Sequence, residues 1–216
     1  MDQAIREQIE ENIRVKNKLL DLGVEVIGDI VNAVLKTFQG GGKLLMCGNG
    51  GSAADSQHFA AEFVSSYNSS FKRPSLPAIA LSTDTSILTA FTNDFGGEGV
   101  FARQVEGLGN AGDLLIVLST SGNSKNVVRA VEEARRKKIT TVGFLGRDGG
   151  ELGKMVDIPF IVPSDETPRI QEVHILAYHI VSDLVERKLF APEYAAEREK
   201  GTVKKYKDEQ KSAIFG

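Results

Sequence analysis

The sequence predicts an α/β fold: a doubly wound, three-layer αβα sandwich around a mostly parallel five-stranded sheet. Three observations carry this. Short apolar runs alternate with stretches of helical periodicity along most of the chain. Two of those runs end in loops crowded with Gly, Ser and Asn, as strand-to-helix turns do. The 216 residues suit one α/β domain with extensions, enough to bury a core without disulfides or metal clips. Alternating strands and helices imply right-handed crossovers and a sheet covered on both faces.

Residues 2–38 carry Ile5, Ile9, Ile13, Leu19, Leu22, Val26, Ile30 and Leu35 at roughly helical spacing among charged residues. They read as one or two amphipathic helices, bent or broken near Gly23, forming an N-terminal extension (1–38) that packs on the core or on a neighbouring subunit. Gly40, Gly41 and Gly42 stop them. The core domain, 39–191, begins with the buried strand Lys43 to Cys47, the glycine loop Gly48 to Ser52 and a helix from Ala53 to about Ser66. A strand at Ala78 to Ser82 precedes a helix from about Thr85. Asp113 to Leu118 is a strand, followed by Ser119 to Ser124 and a helix to about Lys137. Strands at Thr141 to Leu145 and Ile158 to Val162 complete the sheet. A long helix from about Arg169 to Lys188 follows, its apolar face built from Ile170, Val173, Ala177, Ile180, Val181, Leu184 and Val185. Residues 192–216 turn strongly charged and read as a solvated helix, a tail or a subunit arm.

The formal charge of −3, with no long block of either sign before the tail, gives no reason to expect nucleic acid or an anionic membrane as partner. No apolar run approaches the roughly 20 residues that span a bilayer, and Met1 to Glu7 does not read as a signal peptide. Cys47 is the single cysteine, so an internal disulfide and a CxxC site are both excluded. The expected location is the cytoplasm.

In an open parallel sheet, ligands bind beyond the carboxyl ends of the strands. Ser119, Thr120, Ser121 and Ser124 place four hydroxyls around Gly122 and Asn123 at a helix start, where free N–H groups also gather. A phosphate ester fits such a loop. Capping alone explains one such hydroxyl, but not four in six residues. The loop from Gly48 to Ala53 also matches G-x-G-x-x-A, a dinucleotide pattern. That fingerprint wants an acidic residue roughly 20 positions on, and residues 68–76 hold none, so Asn49, Gly50, Gly51 and Ser52 read better as donors to another polar ligand.

His58 and Glu62 stand four apart and share a helix face, suited to proton relay or to a metal. The last helix adds Gln171, His174 and His179. Histidine transfers protons near neutral pH, often beside a carboxylate. Taken singly each histidine is as well explained by packing, and His174 reads that way. Gln171 and His179 lie about 12 Å apart along a helix and about 80° around it, so spacing alone leaves metal binding open.

With Cys47 to Ser52, His58 to Glu62, Arg73 to Ala80, Asn93-Asp94, Ser119 to Ser124, Arg169 to His174 and His179 in place, the chain resembles the sugar isomerase (SIS) domain family, and within it the phosphoheptose isomerases. The resemblance covers residue 1 to about 191. It implies a flavodoxin-like sheet and a cytoplasmic homotetramer that converts sedoheptulose 7-phosphate to D-glycero-D-manno-heptose 7-phosphate, the first step toward ADP-heptose. It implies substrate contacts at Asn49, Gly50, Gly51, Ser52, Glu62, Asn93, Asp94, Ser119, Thr120, Ser121, Ser124 and Gln171. It places zinc on His58, Glu62, Gln171 and His179, with Glu62 as the base at carbon and His179 as the acid and base at oxygen. Pro168 stands where some relatives carry an aspartate, so no role of that acid transfers, and 192–216 extends beyond the usual family core.

Two rivals share the fold. One is a non-catalytic tetramer that binds the replication initiator DnaA; the other is a sugar-phosphate-sensing regulator. The first lacks the full His, Glu, Gln and His set, and the second has no need of Glu62.

Overall fold

The computed structural model describes residues 1–69, 71–192 and 195. The charged tail expected over 192–216 lies, apart from residues 192 and 195, outside the described residues. Five strands, β1 (Leu44–Gly48), β2 (Ala78–Ala80), β3 (Leu114–Ser119), β4 (Thr140–Gly146) and β5 (Ile158–Val162), form one all-parallel sheet in the order β2-β1-β3-β4-β5. The helices are α1 (Asp2–Asn17), α2 (Leu19–Leu22), α3 (Val24–Gln39), α4 (Gly51–Val64), α5 (Thr85–Phe95), α6 (Val100–Leu108), α7 (Lys125–Arg136) and α8 (Thr167–Leu189).

Two-residue periodicity builds the three layers. Leu44, Met46, Leu114, Ile116, Leu118, Val142 and Phe144 point to one face and are buried against α3, α4 and α8. Leu45, Cys47, Leu115, Val117 and Leu145 point to the other, under α6 and α7. With both faces covered, the central strands are apolar throughout. Each such large side chain stabilises the fold by about 1.5–3 kcal/mol through burial. Cys47 belongs to this core, and burial pushes its thiol up to about 12, which leaves it unreactive at neutral pH.

The structure departs from the sequence expectation in detail. The edge strand β2 stops at Ala80, two residues early, because Thr83 Oγ1 donates to the Ala80 carbonyl and turns the chain away. The segment after α5 contains a second helix, α6, that the sequence reading missed. Gly96, Gly97 and Gly99 interrupt the periodicity between α5 and α6, and a single 3-10 turn (Gly97–Gly99) joins them. The N-terminal segment is three helices rather than one or two, broken at Lys18 and at Gly23.

The first helix rests on α8 of its own chain. Buried Arg169 donates to the Gln8 carbonyl (2.6 Å) and side chain (2.9 Å), and to Glu172 (2.7 Å); Asn12 donates to the other Glu172 oxygen. A flanking stripe of α1 presents Ile5, Ile9 and Ile13, each about half exposed.

His174 is fully buried, and its Nε2 lies 3.0 Å from the Leu145 carbonyl, a bond the neutral ring makes by donating. Burial pulls its pKa down to about 4. The unfolded chain, with an ordinary value near 6.5, binds this proton more readily. Stability is therefore full above about pH 6.5 and is lost as pH falls toward about 4, by about 3 kcal/mol from this group. Urea unfolding midpoints measured across that range should fall with acidity, and His174→Gln should flatten the slope.

Candidate active site

All strands are parallel, so every carboxyl end opens on one edge of the sheet. The direction of winding reverses between β1 and β3: β1 feeds α4 on one face, and β3 feeds α7 on the other. The glycine loop and the hydroxyl loop meet at this switch point, where α/β sheets bind ligands. Asn49 and Asn126 join them through a reciprocal amide pair of 2.9 and 2.8 Å.

Ser119 ends β3, and Ser124 precedes α7; their hydroxyls are 3.1 Å apart. Ser121 Oγ accepts from the Asn123 N–H at 3.2 Å. Gly122 sits at φ +66, and a Cβ there would lie 2.0 Å from the Gly149 carbonyl, so only glycine lets the loop close on its neighbour. The first turn of α7 leaves its N–H groups without intrahelical partners. Hydroxyls and N–H groups thus gather at one helix start, an arrangement able to stabilise an anion such as a phosphate.

The acid and base groups come from α4 and α8, which run side by side. Gly51 meets Gln171, and His58 meets both Tyr178 and His179, an offset of 120 or 121 residues at both places. His58 Nε2 is 2.8 Å from Glu62 Oε1, His179 Nε2 is 3.8 Å from the same oxygen, and the two imidazole nitrogens are 3.4 Å apart. One donor atom from each of His58, Glu62 and His179 falls within 4.8 Å of the others. Two imidazoles and a carboxylate are an ordinary zinc donor set, so the residues fit a metal. Desolvation, with a further contribution from nearby His58, lowers the pKa of His179 and favours the neutral ring that a base or a ligand needs.

The fourth expected ligand, Gln171, is placed differently. Its amide packs against Gly51, so closely that a Cβ there would come within 2.3 Å of Nε2. That position is at the first turn of α4, about 10 Å along the axis from His58. Glycine at 51 therefore makes room for the amide beside the glycine loop. Ser52 is buried under that loop, whereas Asn49 and Gly50 remain exposed. Asn93 and Asp94 stand exposed at the end of α5, and among the described residues their side chains hydrogen-bond to each other (2.8 Å) rather than to either loop.

Two supporting groups escaped the sequence reading. Arg73 and Glu186 form a buried ion pair (2.7 Å), with side chains 1% and 2% exposed. Arg73 also donates to the carbonyls of Glu62 (2.7 Å), Phe63 (2.8 Å) and Pro74 (2.9 Å). It thereby satisfies the carboxyl end of α4 and ties it to α8. The second group is Asp55 with Tyr178. Both are buried, the carboxyl pKa is raised by desolvation, and the phenol is raised by desolvation and by the charges of Asp55 and Glu62. A charged residue just before a Pro, as Arg73 is, gave no hint of burial, and Tyr178 sits in an apolar stripe.

Residues 9–146 match the SIS domain family, so fold and site together define a SIS-domain protein. The chain is 52% identical over 192 residues to phosphoheptose isomerase of Clostridium acetobutylicum, covering 88% of this chain and 97% of that protein. It is 54% identical over 184 residues to that of Roseiflexus sp., covering 85% and 92%. The solved phosphoheptose isomerase of Neisseria gonorrhoeae superposes with a TM-score of 0.81 at 42% identity, over 86% of this chain and 98% of that one. The chain belongs to the phosphoheptose isomerase family of SIS-domain proteins.

Removing one member of a buried ion pair strands the other, so Glu186→Gln should cost about 3–5 kcal/mol of stability in urea unfolding. A loss under about 1 kcal/mol, the value of a surface pair, would show that this pair does not clamp the helices.

Proposed function

We propose that this protein isomerises sedoheptulose 7-phosphate to D-glycero-D-manno-heptose 7-phosphate, the entry to ADP-heptose. The observation that carries the reading is the convergence of Glu62 and His179 in one cluster, in a chain half identical to phosphoheptose isomerases.

The phosphate is held by Ser119, Thr120, Ser121 and Ser124 with the N–H groups of α7. Its binding energy aligns the far end of the sugar. Asn49, Gly50, Gly51, Ser52 and Gln171 hold the chain of hydroxyls between loop and cluster. Glu62 removes a proton from C1 of the ketose, the electron pair forms the C1–C2 double bond of an enediol, and the proton is returned to C2. Meanwhile His179 carries the hydroxyl proton from O1 to O2, so atoms and charge balance. His58, Glu62 and His179 would hold one zinc ion per subunit, which when bound supplies Lewis-acid stabilisation of the charge developing on the substrate oxygens. Gln171, at the other end of α4, serves the substrate in this arrangement rather than the metal.

The half-exposed Ile5, Ile9 and Ile13 stripe and Phe95, 76% exposed beside Asn93 and Asp94, support a homotetramer in which these faces are covered and the α5 residues reach a neighbour's substrate. The organisation is a helical extension (1–38), a SIS domain (39–191) and a charged tail (192–216). No described helix is long and apolar enough to cross a membrane; we assign the protein to the cytoplasm.

Incubation with sedoheptulose 7-phosphate, with and without zinc, should yield the aldose. Glu62→Gln should lower kcat by about 10²–10⁴, and no turnover by the wild type in either condition would sink the assignment. Stripping divalent ions with a chelator should abolish activity and added zinc should restore it; unchanged activity would remove the metal from the site.

A further inference from the structure

The hydroxyl loop contains groups that an anion attracts and groups that it repels. Its hydroxyls and N–H groups can donate to a phosphate. Its backbone carbonyls can only accept, so any that is left free to turn toward the anion opposes binding. Most of these carbonyls are occupied by donors. The Ser119 carbonyl accepts the Gly122 N–H (3.1 Å), and the Ser124 carbonyl accepts the Val127 and Val128 N–H groups (both 2.9 Å). The Gly122 carbonyl accepts the Leu152 N–H (2.9 Å), and the Ser121 carbonyl accepts Asn123 Nδ2 (2.8 Å).

The last two bonds depend on the segment that follows β4. Leu152 belongs to it, and Asn123 Oδ1 accepts the Glu151 N–H of the same segment at 2.9 Å. The Asn123 amide is therefore a bridge with two ends: its nitrogen closes the hydroxyl loop on itself, and its oxygen ties that loop to 147–152. One partner is a carbonyl and the other an N–H, so only one orientation of the amide serves both. Gly150, at φ +55, lies flat against the bridge. A Cβ there would stand 2.6 Å from Asn123 Nδ2 and 2.7 Å from both Oδ1 and the Ser121 carbonyl. Asp148 Oδ1 accepts the Gly150 N–H at 3.0 Å and holds that glycine in place.

We propose that Asn123 is a positioning residue for phosphate binding. Its amide, backed by the loop after β4, keeps the Ser121 carbonyl engaged and leaves the hydroxyl and N–H groups of the loop to meet the anion. The proposal rests on the assignment of this loop to the phosphate. It adds that 147–152, a segment with no assigned site residue, sets how tightly the phosphate is held.

The test is a phosphorus NMR titration of the full-length protein with inorganic phosphate, alongside steady-state kinetics on sedoheptulose 7-phosphate. Asn123→Ala should weaken phosphate binding and raise KM by about 3–10-fold, the effect of losing one or two modest hydrogen bonds, with kcat within about twofold of the wild type. Gly150→Ala pushes on the amide from the other loop without changing charge, and should weaken phosphate binding in the same range. Both act on one bridge, so the double variant should lose less than the product of the two single losses. A role in folding alone would lower the unfolding midpoint of Asn123→Ala and leave the phosphate affinity of the folded protein unchanged. That result overturns the proposal, as do losses that simply multiply in the double variant. A wild type that binds neither inorganic phosphate nor the sugar phosphate removes the phosphate reading of the loop and the proposal with it; a wild type that binds, with variants that bind equally well, removes the proposal alone.

Discussion

The parallel packing of α4 against α8 is the constraint on which the site depends. No covalent link or shared strand fixes the sliding of one helix along the other, yet a slip of one turn would part Glu62 from His179. The register is held at three heights. At the amino end, Gly51 accepts the amide of Gln171 where any side chain would collide with it. In the middle, Phe59 and Tyr178 stack, with Phe63 and Phe144 around them. At the carboxyl end, Arg73 binds the last carbonyls of α4 with one edge of its guanidinium and Glu186 of α8 with another. A hydrophobic stack alone tolerates sliding; the glycine and the ion pair do not, because each has one partner at one height. The ion pair is the costlier device, since its desolvation is repaid only when both groups are fully bonded. Its position directly behind Glu62 suits a specificity role better than a stabilising one.

The sheet supplies the second coordinate. Parallel β1 and β3 bring two loops to one edge, and the winding reversal sends their helices to opposite faces, which leaves a crevice rather than a packed surface between them. The Asn49–Asn126 pair closes the distance across that crevice. Loop, strand and helix belong to the same buried core, so a substrate anchored at Ser119 to Ser124, as proposed above, meets a rigid frame. Binding energy at the phosphate can then act on the reacting carbons.

The parts legible in the sequence were those encoded locally. The β1–loop–α4 and β3–loop–α7 units show in an apolar run followed by a glycine or hydroxyl loop, and the i, i+4 spacing of His58 and Glu62 fixes their shared face. Two features were illegible for physical reasons. The gap between α5 and α6 hides a helix because three nearby glycines erase the periodicity. The grouping of Asp55 with Tyr178, of Arg73 with Glu186, and of Gln171 with Gly51 depends on interhelical register, over separations of more than 100 residues, and no local pattern reports that. Family resemblance brought His179 to Glu62 in advance; residue spacing did not. It also assigned Gln171 to the metal; in this structure its amide lies against Gly51.

That register bears on how Glu62 can be both ligand and base. A carboxylate whose two oxygens are engaged by a metal is a poor base. Here one oxygen, Oε1, faces both imidazoles, at 2.8 and 3.8 Å, and among the described residues Oε2 accepts no hydrogen bond. In the proposed reaction the two roles fall on different atoms of one group. Arg73 donates to the Glu62 carbonyl from behind, which fixes the backbone that carries this side chain. A division of this kind needs a fixed carboxylate plane more than an unusual acidity, and the buried clamp between α4 and α8 is what fixes it.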